Sequence, residues 1–238
     1  MTNMATQASL RVGGLTPLSS TDWPGQLSAV VFCQGCPWRC GYCHNPDLIP
    51  AQSESEIPWA DVLAFLKRRQ GLLDAVVFSG GEPTLQAALP EAMREVRALG
   101  FKIGLHTGGM YPKRLAAVLP LVDWVGMDVK APIAAYARIT GVQDSGEPVC
   151  ESLDLLLASS VAYEIRTTVH PALLADEEVV ELAHDLAGHG VKRYVVQAFR
   201  RMGCRDEYLC QNATRSQPLQ QTCAKLDALF ESFTLRVV

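Results

Sequence analysis

The chain of 238 residues has no hydrophobic run approaching the ~18 residues that span a bilayer. Its opening stretch, MTNMATQASLRVGG, has neither the charged start nor the apolar core of a secretory leader. The expectation is a cytoplasmic protein with no membrane partner. Basic residues are not in excess, and the formal net charge of −4 argues against a chain built mainly to hold phosphate backbones. No nucleic-acid partner is therefore expected. Internal repeats, low-complexity tracts and a Gly/Ser/Pro-rich linker are all missing, so residues 1–238 read as one domain, with a core over 14–199 and a carboxy-terminal extension over 200–238. Cysteine, by contrast, is plentiful: there are eight. In a reducing compartment such thiols stay unbridged, and a tight group of them points to a metal or redox site.

Six segments are rich in β-branched and other apolar residues: 27–33, 74–79, 101–106, 123–128, 163–169 and 193–199. Their apolar positions run together instead of alternating, which suits parallel strands buried on both faces. Segments with helical spacing follow them at 58–70, 90–100, 112–120, 150–160, 176–190 and 217–233. Pro58 and Pro90 suit first turns, and Gly100 suits a helix end. Strand and helix thus alternate in an α/β chain. Periodicity leaves open whether the sheet closes, curls or stays flat. In each case ligands bind at the carboxyl ends of the strands. The loops at those ends are CQGCPWRCGYCHNP, SGGEPT, HTGGMYP, MDVKAP, VHP and FRRMGC.

The first of these loops and its strand place Cys33, Cys36, Cys40 and Cys43 within eleven positions. Four cysteines can hold a structural zinc ion, although zinc ribbons and fingers usually keep their two pairs farther apart. Three cysteines from one loop, spaced C-x3-C-x2-C, can instead hold three corners of a [4Fe–4S] cubane and leave one iron open. Cys33 ends an apolar strand, where a free cysteine commonly packs as a small hydrophobe.

The spacing of Cys36, Cys40 and Cys43, with Tyr42 before the last, resembles the signature of the radical S-adenosylmethionine (SAM) superfamily. CGYCHNP and the upstream TDWPGQLSAVVFCQGCPWRC resemble more narrowly the glycyl-radical-enzyme activases, in particular the activating proteins of anaerobic ribonucleoside-triphosphate reductase. The resemblance runs from about residue 14 through the fifth predicted strand and weakens after about Phe199. It implies a partial (β/α)6 TIM-like barrel with a [4Fe–4S] cluster on Cys36, Cys40 and Cys43, the open iron chelating SAM. Such an enzyme takes an electron from a donor such as flavodoxin or ferredoxin. It cleaves SAM to a 5′-deoxyadenosyl radical and installs a glycyl radical on its partner, under anaerobic conditions. A small-molecule radical SAM enzyme of the 7-carboxy-7-deazaguanine synthase kind is the alternative, and a zinc-bound binding module is the reading from another class.

The same resemblance assigns the rest of the rim. SGGEP, with Gly80, Gly81 and Glu82, matches the glycine-rich SAM motif, although two glycines also suit an ordinary tight turn. Tyr42 corresponds to an aromatic beside the adenine; the plainer reading is a core aromatic. Asp128 and Lys130 share one side of their strand end. With Arg166, a charge inside an apolar run, they would bind SAM, or else simply satisfy one another. Thr107 would contact the SAM amino group. His106 stands where many activases carry an acid, which puts in doubt a monovalent cation that some of them hold there. His44, beside Cys43, is expected to shape the loop and not to ligate. Cys204, Cys210 and Cys223 match no second cluster motif. Arg200, Arg201 and Arg205 read equally as a docking surface or a solvated turn.

Overall fold

The structure is a computed structural model that describes residues 9–213 and 216–237. Residues 1–8, part of the stretch read above as lacking a leader, lie outside the described residues. The six expected strands are present as β2 (Ser28–Cys33), β3 (Ala75–Gly80), β4 (Lys102–Thr107), β5 (Trp124–Asp128), β6 (Ala162–Val169) and β7 (Arg193–Ala198). Two more flank them, β1 (Val12–Ser19) before and β8 (Ser232–Arg236) after. The crossovers carry α1 (Trp59–Lys67), α2 (Leu89–Ala98), α3 (Pro112–Val118), α4 (Tyr136–Thr140), α5 (Glu147–Ala158), α6 (Asp176–Gly188), α7 (Glu207–Gln211) and α8 (Ser216–Cys223).

The helix expected to run to residue 233 is corrected here. It ends at Cys223, and Phe233 and Leu235 lie in β8, where Phe233 packs against Tyr194 with ring centres 5.9 Å apart. Leu219 and Cys223 of the expected segment do lie on α8, but a short 3-10 turn at Asp227–Leu229 follows, and only Ser232 and Phe233 of that segment belong to the edge strand. β1 escaped notice because VGGLTPLS contains two glycines and a proline. Pro17 falls in a break in register between Thr16 and Ser19, where its missing N–H removes no ladder bond.

Spatial order follows chain order from β1 to β8, with β1 antiparallel to β2 and every later pairing parallel. Right-handed crossovers between successive neighbours put every helix on the same face. The other face must then curl onto itself to escape water, which produces the partial barrel. Neighbouring pairs end at β1 on one side and β8 on the other, so the sheet has two edges and a lateral opening.

Alternation along the strands separates two layers. Ala29, Val31, Val76, Phe78, Ile103, Leu105, Val125 and Met127 pack under the helices. Val30, Ala75, Val77 and Trp124 form the floor of the concave face, closed by Trp23 from the β1–β2 connection. Trp23 stacks on Trp124 at 5.6 Å and 15°, so the tryptophan of TDWPG is a plug. Replacing Trp23 with Ala is expected to cost about 3 kcal/mol of stability, measured by urea unfolding.

Candidate active site

Above that floor the upper residues of the concave face line one cavity of about 820 Å³. Its wall includes Phe32, Ser79, His106, Asp128, Arg166, Thr168, Gln197 and Arg236, contributed in turn by β2 to β8. Cys36, Cys40, Tyr42, Cys43, Gly80, Gly81, Glu82, Thr107 and Lys130 also line it, so every residue assigned to the cluster or to SAM in the sequence borders this space.

Cys33 does not. It follows Phe32 on β2 and therefore points the other way, into the helix-side core with Ala29 and Val31, fully buried. Burial pushes its thiol far above the ordinary range, with Glu82 adding to the effect. Burial also raises Cys36 to about 12 and raises Cys40, so bound metal would have to displace their protons. Among the described residues no three Cys, His, Asp or Glu side chains converge on a point as a single metal ion requires. A cubane makes no such demand, because each thiolate takes its own corner.

The cysteine loop is held by backbone geometry. Gly81 N–H donates to the Cys33 carbonyl (2.9 Å), and Glu82 N–H to that of Gly35 (2.9 Å). Cys36 N–H donates to the Ile49 carbonyl (3.1 Å), and Arg39 Nη1 to that of Cys36 (2.9 Å). Gly80 has φ +110°, and a Cβ there would lie 2.5 Å from Cys33 N. At Gly81 a Cβ would meet Gly35 C at 2.7 Å and Leu48 O at 2.9 Å. The two glycines of SGGEP thus let two loops approach backbone to backbone.

Two glutamines missed in the sequence fasten the same junction. Gln34 Nε2 donates to the Asp47 and Pro50 carbonyls (3.0 and 2.7 Å). Gln86 Nε2 donates to those of Arg11 and Gln34 (2.8 and 3.0 Å), while its Oε1 accepts from Arg11 N–H at 2.8 Å. The only local signal was at Gln34, an amide directly after a buried strand. Glu82, fully buried, joins the β3 and β4 ends by accepting from Thr84 N–H (3.0 Å), Thr107 Oγ1 (2.8 Å), Gly108 N–H (2.9 Å) and the Thr84 hydroxyl. Burial still raises its pKa, against the opposing pull of those bonds. Thr107 also accepts from Gly109 N–H (3.0 Å), so its hydroxyl is committed to the loop junction.

Charge gathers on the far wall. Arg166 Nε meets Asp128 Oδ1 at 2.8 Å, and Lys130 Nζ lies 3.9 Å from Asp128 Oδ2. Burial opposes the charge of Asp128, but Arg166 and then Lys130 hold its carboxyl below the usual range. Farther along, Arg236 makes a bidentate pair with Glu164 (2.9 and 2.8 Å), anchoring β8 to the concave face. His106 Nε2 donates to the Asp22 carbonyl (2.8 Å), leaving Nδ1 to accept from Ser79 Oγ (3.1 Å). Burial and then Arg166 lower His106 to about 4, so a neutral ring occupies this position at pH 7. Tyr42 Oη is buried and finds no hydrogen-bond partner among the described residues. It is an orphaned polar atom on the cavity wall, suited to a ligand.

His44 does not face the thiols as a ligand would. It stacks on Phe199 at 5.6 Å and bonds the Arg200 carbonyl through Nε2 at 3.0 Å. Cys204 and Cys210 lie together on the segment that covers this loop, where Cys204 Sγ donates to the Gly41 carbonyl and Cys210 Sγ to that of Cys204 (both 3.6 Å). Cys223, at the end of α8, is buried. Arg205 pairs with Asp47 at 2.6 Å.

Comparison with known proteins supplies the chemistry. The family described as the radical SAM superfamily matches residues 30–186. A glycyl-radical enzyme activating enzyme of Methanocaldococcus jannaschii is 31% identical over 206 residues, covering 82% of each chain. The pyruvate formate-lyase-activating enzyme of Clostridium pasteurianum is 34% identical over 140 residues, 55% of this chain and 57% of that one. Among solved structures, Streptococcus suis SuiB bound to S-adenosylmethionine superimposes with a TM-score of 0.64 at 13% identity, over 86% of this chain and 48% of SuiB. This last likeness is one of fold.

Proposed function

Since the chain belongs to the radical SAM superfamily, among the glycyl-radical-enzyme activating enzymes, we propose that Cys36, Cys40 and Cys43 hold its [4Fe–4S] cluster and that its partner is an anaerobic ribonucleoside-triphosphate reductase. One observation carries the ligand set: strand alternation sends Cys33 into the helix layer while the other three thiols border the cavity. The residues fit the group in further respects. The glycines keep the loop junction free of side chains, Tyr42 offers an unused hydroxyl, and the far wall carries fixed charge.

When bound, the cluster and SAM supply one-electron cleavage of the sulfonium and abstraction of a glycine hydrogen atom. The chain's residues do the rest. Lys130 and Arg166 bind the SAM carboxylate, Asp128 orients both cations, and backbone carbonyls of the Gly80–Gly81 turn accept from its ammonium. Trp38 and Tyr42, both buried, keep water from the loop side. The lateral opening between β1 and β8 admits a glycine-bearing loop of the partner, and the electron comes from a flavodoxin- or ferredoxin-like donor.

Arg166→Ala is expected to retain iron and weaken SAM binding about tenfold or more. Unchanged SAM affinity by anaerobic equilibrium dialysis would remove Arg166 from the site.

The reductase as partner is supported by the CHNP and TDWPG contexts. Pyruvate formate-lyase is the second reading, favoured by the Clostridium relative. The two separate when loaded enzyme, dithionite and SAM are mixed anaerobically with each candidate. A glycyl-radical signal on the reductase supports the first reading. A signal on the lyase alone overturns it.

A further inference from the structure

The aromatic residues of the cysteine loop alternate with its thiols: Trp38 lies between Cys36 and Cys40, and Tyr42 between Cys40 and Cys43. Both rings close on one ammonium group. Lys130 Nζ lies 5.7 Å from the centre of Trp38 and 5.6 Å from that of Tyr42. Lys130 reaches them from the opposite wall, just beyond β5, where its backbone N–H donates to Tyr136 Oη at 3.0 Å. Tyr136 in turn packs edge-on against Trp38 at 5.9 Å and 65°. The cage leaves the Lys130 side chain only 13% exposed.

Neutralisation within this cage is incomplete. Asp128 is the carboxylate shared by Arg166 at 2.8 Å and Lys130 at 3.9 Å, so one negative charge faces two positive ones. The longer contact is to Lys130, which carries the larger uncompensated share. Burial opposes the lysine's charge, and the Asp128 carboxylate counters that effect.

We infer that Lys130 is a fixed positive charge held by the cysteine loop, and that it raises the reduction potential of the cluster on Cys36, Cys40 and Cys43. The inference rests on that ligand set. Reduction adds one negative charge to the cluster, and a caged cation stabilises the reduced form more than the oxidised one. The aromatic walls strengthen the effect by excluding water. The role is separate from binding the SAM carboxylate, because the potential is measured with no SAM present.

The test is a potentiometric titration of reconstituted protein followed by electron paramagnetic resonance (EPR). Lys130→Gln is expected to lower the midpoint so that the reduced-to-oxidised ratio at fixed poise falls about tenfold, a change of 59 mV for a one-electron couple. Lys130→Arg should stay near the native value. Asp128→Asn should move the midpoint upward, because it strips away the compensating carboxylate. If Lys130→Gln does not retain iron, the direction of the Asp128→Asn shift decides. Unchanged or oppositely shifted midpoints overturn the tuning role and leave the ligand set standing. A native protein that assembles no cluster overturns the ligand set, and this inference with it.

Discussion

Cys36→Ala, Cys40→Ala and Cys43→Ala are each expected to abolish cluster assembly and SAM cleavage, whereas Cys33→Ala is expected to keep both and lose only about 1 kcal/mol of stability. These outcomes follow from one feature of β2. Side chains of a strand alternate in direction, so a thiol directly after Phe32 on the cavity face must point toward the helices. Cys33 packs there among Ala29 and Val31, with no exposed surface. Removing its sulfur leaves a small void in an apolar layer. Removing any one of the other three would take away a proposed corner ligand, and the neighbouring His44 is committed to Phe199 and the Arg200 carbonyl. Iron and acid-labile sulfide per chain, with 5′-deoxyadenosine production, check the four variants. Loss of iron in Cys33→Ala would show that Cys33 is itself a cluster ligand.

Gly81→Ala is expected to be nearly as damaging, though it removes no functional group. The added methyl meets backbone atoms, Gly35 C at 2.7 Å and Leu48 O at 2.9 Å, and lies still closer to Gly35 O. No rotamer change relieves a collision with backbone, so the cysteine loop and the β3 turn must move apart. That separation strains the bonds from Gly81 N–H to Cys33 O and from Glu82 N–H to Gly35 O. The expected cost is about 3 kcal/mol, together with poor iron retention. Thermal unfolding and iron analysis test both parts. A Gly81→Ala protein with native stability and full iron would mean that the two loops are not locked together as described.

The parts of this architecture that could be read in the sequence are those with a local cause. The runs that became β2 to β7 are apolar because both faces of each strand are covered, and Arg166 stood out as a charge inside such a run. Cys33 was separable from its neighbours because it ends an apolar strand. The parts not legible depend on distant partners. β1 and β8 are edges with one covered face, so glycine, proline and alternating polar residues obscure them. Gln86 reaches Arg11 across 75 positions, and Glu82 reaches Thr107 across 25, so nothing near either residue announces the contact. Without β8, Arg236 could not be placed on the cavity wall. His106 was conspicuous for standing at an acid's position, but its neutral state follows from burial beside Arg166 and from the bond to Asp22 in a different loop.

The most direct test of the central claim is anaerobic reconstitution with iron and sulfide, followed by dithionite reduction and low-temperature EPR with and without SAM, with chromatographic assay of 5′-deoxyadenosine. The expected result is a reduced [4Fe–4S] signal that changes when SAM is added, accompanied by 5′-deoxyadenosine. A protein that takes up zinc instead, shows no such signal and forms no 5′-deoxyadenosine would contradict it.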